Sequence, residues 1–520
     1  MVTGERMPAR CIMVQGTGSH TGKSVMVAAL CRIFAQDGWR VAPYKSQNMS
    51  LNSYVTLQGG EMGRAQVLQA QAAGIEPHTD MNPILLKPSS DERAQVILNG
   101  RPVGHMEAGE YHLLKLEFLP AALAALDRLR AACDIVVIEG AGSPAEINLA
   151  DQDIANMRVA EAAGAPVVLV GDIDRGGVFA SLVGTLELLD AGEREMVAGF
   201  IVNKFRGSAD LLRGGLDFLE RRTGKPVLGV VPYIRDLGLE EEDTVNLEEL
   251  RSAAAAGAAA HVVDVAVLHL PHISNATDFD PLAHEAGVRL RYVSEPAHLG
   301  IPDAVILPGS KSTAADLGYL KENGMAAQIV RLAQLGIPVI GICGGYQMLG
   351  EKIEDPGGVE SLDREVEGLG LLPVTTVLAG EKSTHRVKAR AALAVPFMGL
   401  DPAATVITGY EIHMGSSTGA GKSPLSIVER DGAAACIEDG AVHARLPVFG
   451  CYLHGLFENS ELREGFVNHL RRMRGFPPLA AEREWEEWRE ERLERLARIT
   501  RSSLDMDLIY SLLGMGVAPH

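Results

Sequence analysis

Over the first 235 residues, short apolar runs alternate with longer stretches of helical character. The runs 11–14, 135–138, 167–170, 199–202 and 227–231 are nearly unbroken by polar residues, as expected of strands buried on both faces of a parallel sheet. Between them, 24–35 and 113–132 read as helices. This alternation predicts an α/β fold built on a doubly wound parallel sheet. The pattern breaks at 236–260, where an acidic stretch at 240–243 gives way to an alanine-rich one at 253–260. A second α/β series begins at Val262, with strand-like runs at 263–268, 304–307 and 339–342 and a helix from Gly344. Shorter strands are expected at 405–407, 425–428, 434–437 and 448–452. Beyond 475 the character changes again. The stretch 482–498 is dense in Glu and Arg, with Trp485, Trp488, Leu493 and Leu496 near helical spacing. That stripe predicts an amphipathic helix docking on its own protein. The expected division is a first domain at 1–240, a linker at 241–261, a second domain at 262–475 and a helical tail at 476–520.

Composition narrows the function classes. With 520 residues, 47% hydrophobic and 22% charged, the chain has the balance of a soluble globular protein of two to four domains. Its 48 Lys and Arg against 67 Asp and Glu leave a net charge of −19. So acidic a chain is poorly suited to wrapping nucleic acid or lying on an anionic membrane, although a local cationic pocket for a small anion remains open. The longest apolar stretch, 252–270, is interrupted by His261, Asp264 and His269, so no membrane span is expected. The N-terminus has no apolar run ending in a cleavage site, and a cytoplasmic enzyme is the expectation. Six cysteines are scattered without CxxC pairs, and no His/Cys group has zinc spacing.

Two motifs carry chemistry. The first apolar run leads directly into Gly16-Thr17-Gly18-Ser19-His20-Thr21-Gly22-Lys23-Ser24, and a helix follows. Backbone N–H groups of such a loop can surround phosphates, the lysine adds charge, and the serine hydroxyl can reach Mg²⁺. Five residues separate Gly16 from Gly22 where the usual phosphate loop has four. The run 135–138 ends in Glu139 followed by small residues, where a Mg²⁺ ligand belongs in an open α/β sheet. Asn203-Lys204 closes another run at the same edge, placed to hold a nucleotide base. In the second domain, 339–342 runs into Cys343 and then Gly344-Gly345-Tyr346-Gln347. A cysteine at a glycine-flanked strand-to-helix turn has the geometry of an exposed nucleophile. His454, at the end of another apolar run, supplies a base. Backbone N–H groups at Gly309, in Leu307-Pro308-Gly309-Ser310, and at Gly344 are placed to form an oxyanion hole.

The phosphate loop resembles that of dethiobiotin synthetase-like enzymes, which share the stretched spacing. The cysteine turn resembles that of class I glutamine amidotransferases. With the segments 47–53, 139–144, 172–177, 203–207, 307–311 and 409–413, the chain resembles the cobyric acid synthase family over nearly its whole length. The resemblance implies ATP-dependent amidation of the b, d, e and g carboxylates of a corrinoid substrate, adenosylcobyrinic acid a,c-diamide, in cobalamin biosynthesis. The carboxylate would pass through an acyl phosphate, and ammonia would come from L-glutamine at Cys343. By the same resemblance Gly16, Thr17, Gly18, Thr21, Gly22, Lys23 and Ser24 bind ATP, and Ser24 and Glu139 hold Mg²⁺. Asn203 would meet the adenine, and Lys45 matches a basic residue near phosphate. The related a,c-diamide synthases perform the same chemistry on other carboxylates; Asn48-Met49 and the 174–177 segment resemble the cobyric acid branch. Partition-type ATPase switches carry a lysine at the start of the loop, where this chain has Gln15-Gly16-Thr17. A non-catalytic scaffold would not need both Cys343 and His454. The oligomeric state is left open, a homo-oligomer included. In many class I relatives a glutamate two places after the histidine orients its ring. Here that place is Leu456, so the expectation is a Cys–His dyad with no carboxylate, Glu458 being the nearest acid.

Overall fold

The computed structural model describes residues 8–89, 92–235, 237–239, 261–360, 363–420, 422–480 and 484–516. The expected linker at 241–261 lies outside the described residues except for its last position.

The first domain is the expected doubly wound layer. Its six strands are β1 (Arg10–Gly16), β2 (Val41–Tyr44), β3 (Ile135–Glu139), β4 (Val167–Asp172), β5 (Val197–Phe205) and β6 (Val227–Pro232), all parallel, in the order β6-β5-β4-β1-β3-β2. Every residue of β3 is buried, which is why its sequence is apolar from Ile135 to Ile138 rather than alternating, Glu139 being the one polar residue at its end. The register sets Val14 of β1 beside Glu139 of β3 and Gly16 beside Val170 of β4. The phosphate loop and the acid therefore leave the sheet at one rim. Helix α1 (Lys23–Gln36) starts at Gly22, whose φ of 96° is left-handed. A Cβ there would also stand 2.2 Å from the Asn203 amide, so only glycine fits.

A four-stranded sheet of Gln47–Met49, Ile84–Pro88, Arg93–Leu98 and Arg101–Glu107 is inserted between β2 and β3. It escapes the sequence pattern because its strands are short and carry polar residues without strict alternation. It brings Lys87 and Gln95 toward the second domain.

The second domain has a parallel sheet of β7 (Val263–Leu268), β8 (Val288–Val293), β9 (Ala304–Leu307), β10 (Val339–Ile342) and β11 (Val448–Cys451), in the order β8-β7-β9-β10-β11. A seven-stranded mixed sheet stands beside it, built on the long antiparallel pair Val374–Ala391 and Val406–Gly419. The expected strand at 405–407 is the start of the second of these. The first goes unmarked in the sequence because its middle, from Gly380 to Lys388, is polar.

The tail forms helix α2 (Trp485–Ser503) and a shorter helix, Met506–Leu512. Both return to the first domain. Leu493, Leu496, Ala497, Leu504, Ile509 and Tyr510 share a buried cluster with Val27, Leu30, Ile33 and Phe34 of α1. Tyr510 meets Phe34 edge to face at 5.4 Å, and Arg501 pairs with Asp37 at 2.7 Å.

Candidate active site

Strand β10 delivers Cys343 into a backbone conformation of φ 53°, ψ −108°, a sterically costly one for a residue with a Cβ. It is held there from both sides. The Cys343 N–H donates to Cys451 O at 2.9 Å, tying the turn to β11. The helix Gly344–Leu349 then passes so close to β9 that a Cβ on Gly345 would lie 2.0 Å from Leu307 O. The Gly-Gly pair after the cysteine is therefore required by packing. Because β10 and β11 are neighbours in register at Ile342 and Cys451, His454 arrives beside Cys343 despite lying 111 positions later.

His454 is buried, stacked on Tyr410 at 5.3 Å. Its Nδ1 lies 2.6 Å from Asp278 Oδ2, and the Gly455 N–H donates to Asp278 Oδ1 at 3.1 Å. Burial alone would lower the imidazole pKa. The Asp278 carboxylate, and then Cys343, raise it to about 10. The expected dyad is thus corrected: the imidazole has a carboxylate partner, supplied by the turn Ala276–Phe279 rather than from two places downstream. Leu456 is fully buried in the core, and Glu458 is turned away into an ion pair with Arg64 of the first domain at 2.7 Å. No spacing rule links residues 278 and 454, so the sequence held no usable signal for Asp278.

Gly309 and Gly344 border this centre. A Cβ on Gly309 would stand 3.1 Å from the His454 ring, and one on Gly344 would stand 2.8 Å from Ser310 N. The pocket over Cys343 is also lined by Gln347, Lys311, Glu360, Lys382 and, from the first domain, Lys87. Lys87 and Lys382 share the buried carboxylate of Glu61 at 2.7 and 2.5 Å. Burial pushes the Lys382 ammonium down to about 7, although Glu61 opposes the shift. Lys87, Glu360 and Lys382 were not singled out in the sequence, and Lys311 entered only as the last residue of the 307–311 segment.

At the other rim, Gly16, Thr17, Gly18, Thr21, Gly22, Lys23 and Ser24 form the loop over the ends of β1 and β4. The Thr17 N–H donates to Val170 O at 3.0 Å. Lys23 Nζ donates to Gly18 O at 2.8 Å and Gly142 O at 3.0 Å, and the Asn203 amide donates to Thr21 O at 2.9 Å. Glu139 is wholly buried. Its Oε1 accepts from Ser24 Oγ at 2.7 Å and from Lys45 Nζ at 2.9 Å, and its Oε2 accepts from the Gln69 amide. Burial would raise its pKa, but Lys45 first, then the hydrogen bonds from Gln69 and Ser24, hold it below the ordinary carboxylate value. Gln69 was not anticipated. Ser24 and Glu139 put two hard oxygens together beside the phosphate loop. That donor set fits Mg²⁺, which takes few protein ligands and fills its shell with phosphate oxygens and water. Among the described residues no group of three or more His, Cys, Asp or Glu side chains is placed to hold a metal. A second cavity opens beside Gly142, lined by Gln47, Lys115, Ser143, Asp153 and Asn156.

Residues 12–245 match the model of the CobQ/CobB/MinD/ParA nucleotide binding domain, and residues 264–462 match that of the CobB/CobQ-like glutamine amidotransferase domain. Among curated proteins, the chain is 53% identical over 515 residues to a cobyric acid synthase of Pelotomaculum thermopropionicum, covering 98% of this chain and 97% of that protein. It is 50% identical to one of Desulforamulus reducens, covering 98% and 99%. It is 49% identical to one of Dehalococcoides mccartyi, covering 98% and 100%.

Proposed function

This chain belongs to the cobyric acid synthase family and is a glutamine-dependent amide ligase; on that premise we propose that it amidates the b, d, e and g carboxylates of adenosylcobyrinic acid a,c-diamide with ATP, Mg²⁺ and L-glutamine. The observation that carries the reading is the meeting of the two half-sites in one chain. Lys87, from the domain with the phosphate loop, lines the pocket over Cys343, so ammonia set free there is released against the domain that consumes it.

In the glutaminase half, the Cys343 sulfur attacks the carboxamide carbon of glutamine. His454 passes a proton to the departing nitrogen, and the thioester is then hydrolysed to glutamate with His454 as base. Asp278 fixes the imidazole with its Nδ1 proton turned to the carboxylate and stabilises the imidazolium. Gly309 and Gly344 N–H groups receive the developing oxyanion. In the ligase half, a corrinoid carboxylate oxygen attacks the terminal phosphorus of ATP, giving an acyl phosphate and ADP. Ammonia attacks the acyl carbon, and phosphate leaves. Lys23 and the loop N–H groups of Gly16 to Ser24 hold the phosphates in line. Ser24 and Glu139 would hold Mg²⁺, which would supply positive charge to offset that of the phosphates. Lys45 keeps Glu139 ionised for that role, and Asn203 braces the loop at the edge where the base is bound.

The test is incubation with ATP, Mg²⁺, glutamine and either the a,c-diamide or cobyrinic acid itself. Mass spectrometry follows the small drop as each acid OH becomes NH₂. Four successive drops on the a,c-diamide are expected. Conversion of cobyrinic acid to its a,c-diamide, with the a,c-diamide left untouched, would reassign the substrate.

A further inference from the structure

Two charged side chains in the Cys343 pocket take no part in the chemistry above. Lys311 follows Gly309 and Ser310 and is 9% exposed, its outlet being the pocket. Glu360 is half-buried on the same pocket, with Oε2 accepting the Thr313 N–H at 2.9 Å. Each lies near enough to feel the other's charge. Among the described residues, however, neither forms an ion pair. The pocket's other two lysines are differently placed, since Lys87 and Lys382 are each ion-paired to the one carboxylate of Glu61. Gln347, another polar side chain lining the pocket, is also spent. Its Oε1 accepts from Thr313 Oγ1 at 3.1 Å, and its Nε2 donates to Met414 O at 3.1 Å and to Tyr452 at 3.3 Å. Lys311 and Glu360 are therefore a cation and an anion lining one pocket, with no salt bridge between them among the described residues.

A substrate whose carboxamide sits at Cys343 carries, two methylenes and an α-carbon away, an α-ammonium and an α-carboxylate. Those are the charges that this pair complements. We propose that Lys311 and Glu360 form the head-group subsite of the glutaminase pocket, Lys311 taking the α-carboxylate and Glu360 the α-ammonium, and so restrict Cys343 to the free zwitterionic amino acid. The inference rests on the reading of Cys343 as the glutaminase nucleophile. It has a physical basis in partial desolvation: two charges held away from water and from each other gain most from a ligand that supplies both partners at once. Burial also pushes the Lys311 pKa down and the Glu360 pKa up, the direction expected of charges awaiting a partner.

The test uses the full chain with ATP, Mg²⁺ and corrinoid acid present, and glutamate or its analogue is measured as product. Three substrates are compared: L-glutamine, its α-amide, which lacks the carboxylate, and glutaramate, which lacks the α-ammonium. Lys311→Met should raise KM for L-glutamine by roughly 10- to 100-fold, the loss of one buried charged hydrogen bond, with kcat little changed. It should leave KM for the α-amide near the parent value. Glu360→Gln should show the mirror pattern, with glutaramate as the insensitive substrate. Lys311→Arg and Glu360→Asp, which keep the charges, should recover part of the loss. Amidation with added ammonium salt reports that each variant is folded. Equal losses on all three substrates, or an unchanged KM for L-glutamine, would overturn the subsite. If the parent protein releases no glutamate from glutamine, the glutaminase reading falls and the subsite falls with it. If it does so while the variants fail to discriminate, only the subsite falls.

Discussion

With the Asp278 carboxylate on Nδ1 and Cys343 close by, the His454 imidazole is raised to about 10 against the opposing effect of burial. Its proton is therefore held through the neutral range and lost only as the pH climbs toward 10. Asp278→Asn keeps the shape and removes the charge. The variant should lose glutamine-dependent turnover by roughly 10²–10⁴-fold, since an imidazole without its orienting carboxylate is held in the wrong tautomer. The basic limb of its kcat/KM profile should move to lower pH, because the charge that raised the pKa is gone. Glu458→Gln should change the same rate only slightly, since Glu458 faces Arg64. Parallel pH–rate profiles of both variants check this; an Asp278→Asn enzyme with parental rate and profile would remove Asp278 from the catalytic group. Asp278 was illegible in the sequence for a physical reason. A hydrogen bond across 176 positions is set by where two loops land, and nothing in either segment records the other.

Helix α2 illustrates a partner that periodicity could not identify. Its stripe of Trp485, Trp488, Leu493 and Leu496 marks an apolar face, and a face of this kind must be covered. Leu493 and Leu496 are covered by α1, which begins in the phosphate loop more than 450 residues earlier, whereas Trp485 and Trp488 pack against His284 of the second domain. Leu496 is 1% exposed within that cluster. Leu496→Ala should cost about 2–5 kcal/mol through lost burial and the cavity left behind. Calorimetry should record this as a lower melting temperature for the first domain. ATP added to the variant should restore part of the loss, because ligand binding stabilises the folded state. A fall confined to the second domain's transition would mean that the helix supports that domain instead.

On the scale of the whole molecule, the two domains are built into each other's sites. Asn52 Oδ1 accepts the Ala276 N–H, and Asn275 Oδ1 accepts the Ser53 N–H, each at 3.0 Å, in the turn that carries Asp278. Arg64 holds Glu458, and Glu61 holds Lys382. The half-reactions should nonetheless separate by substitution. Cys343→Ala should abolish glutamine-dependent amidation and keep amidation with ammonium salt. Lys23→Ala should abolish both, because phosphate charge must be compensated on either route. Survival of ammonia-dependent amidation in Lys23→Ala would place the ATP site elsewhere. Much of this arrangement was legible in the chain itself. Continuous apolar runs mark parallel strands because both faces of such strands are buried, and Gly-Lys-Ser or Cys-Gly-Gly after a run marks a functional turn because few residue types fit the backbone there. The phosphate loop, Glu139, Cys343 and His454 are local in that sense. Asp278 beside His454, Gln69 on Glu139, Lys87 over Cys343 and α2 on α1 were decided only by the tertiary structure, since each joins segments whose own patterns are satisfied without the other.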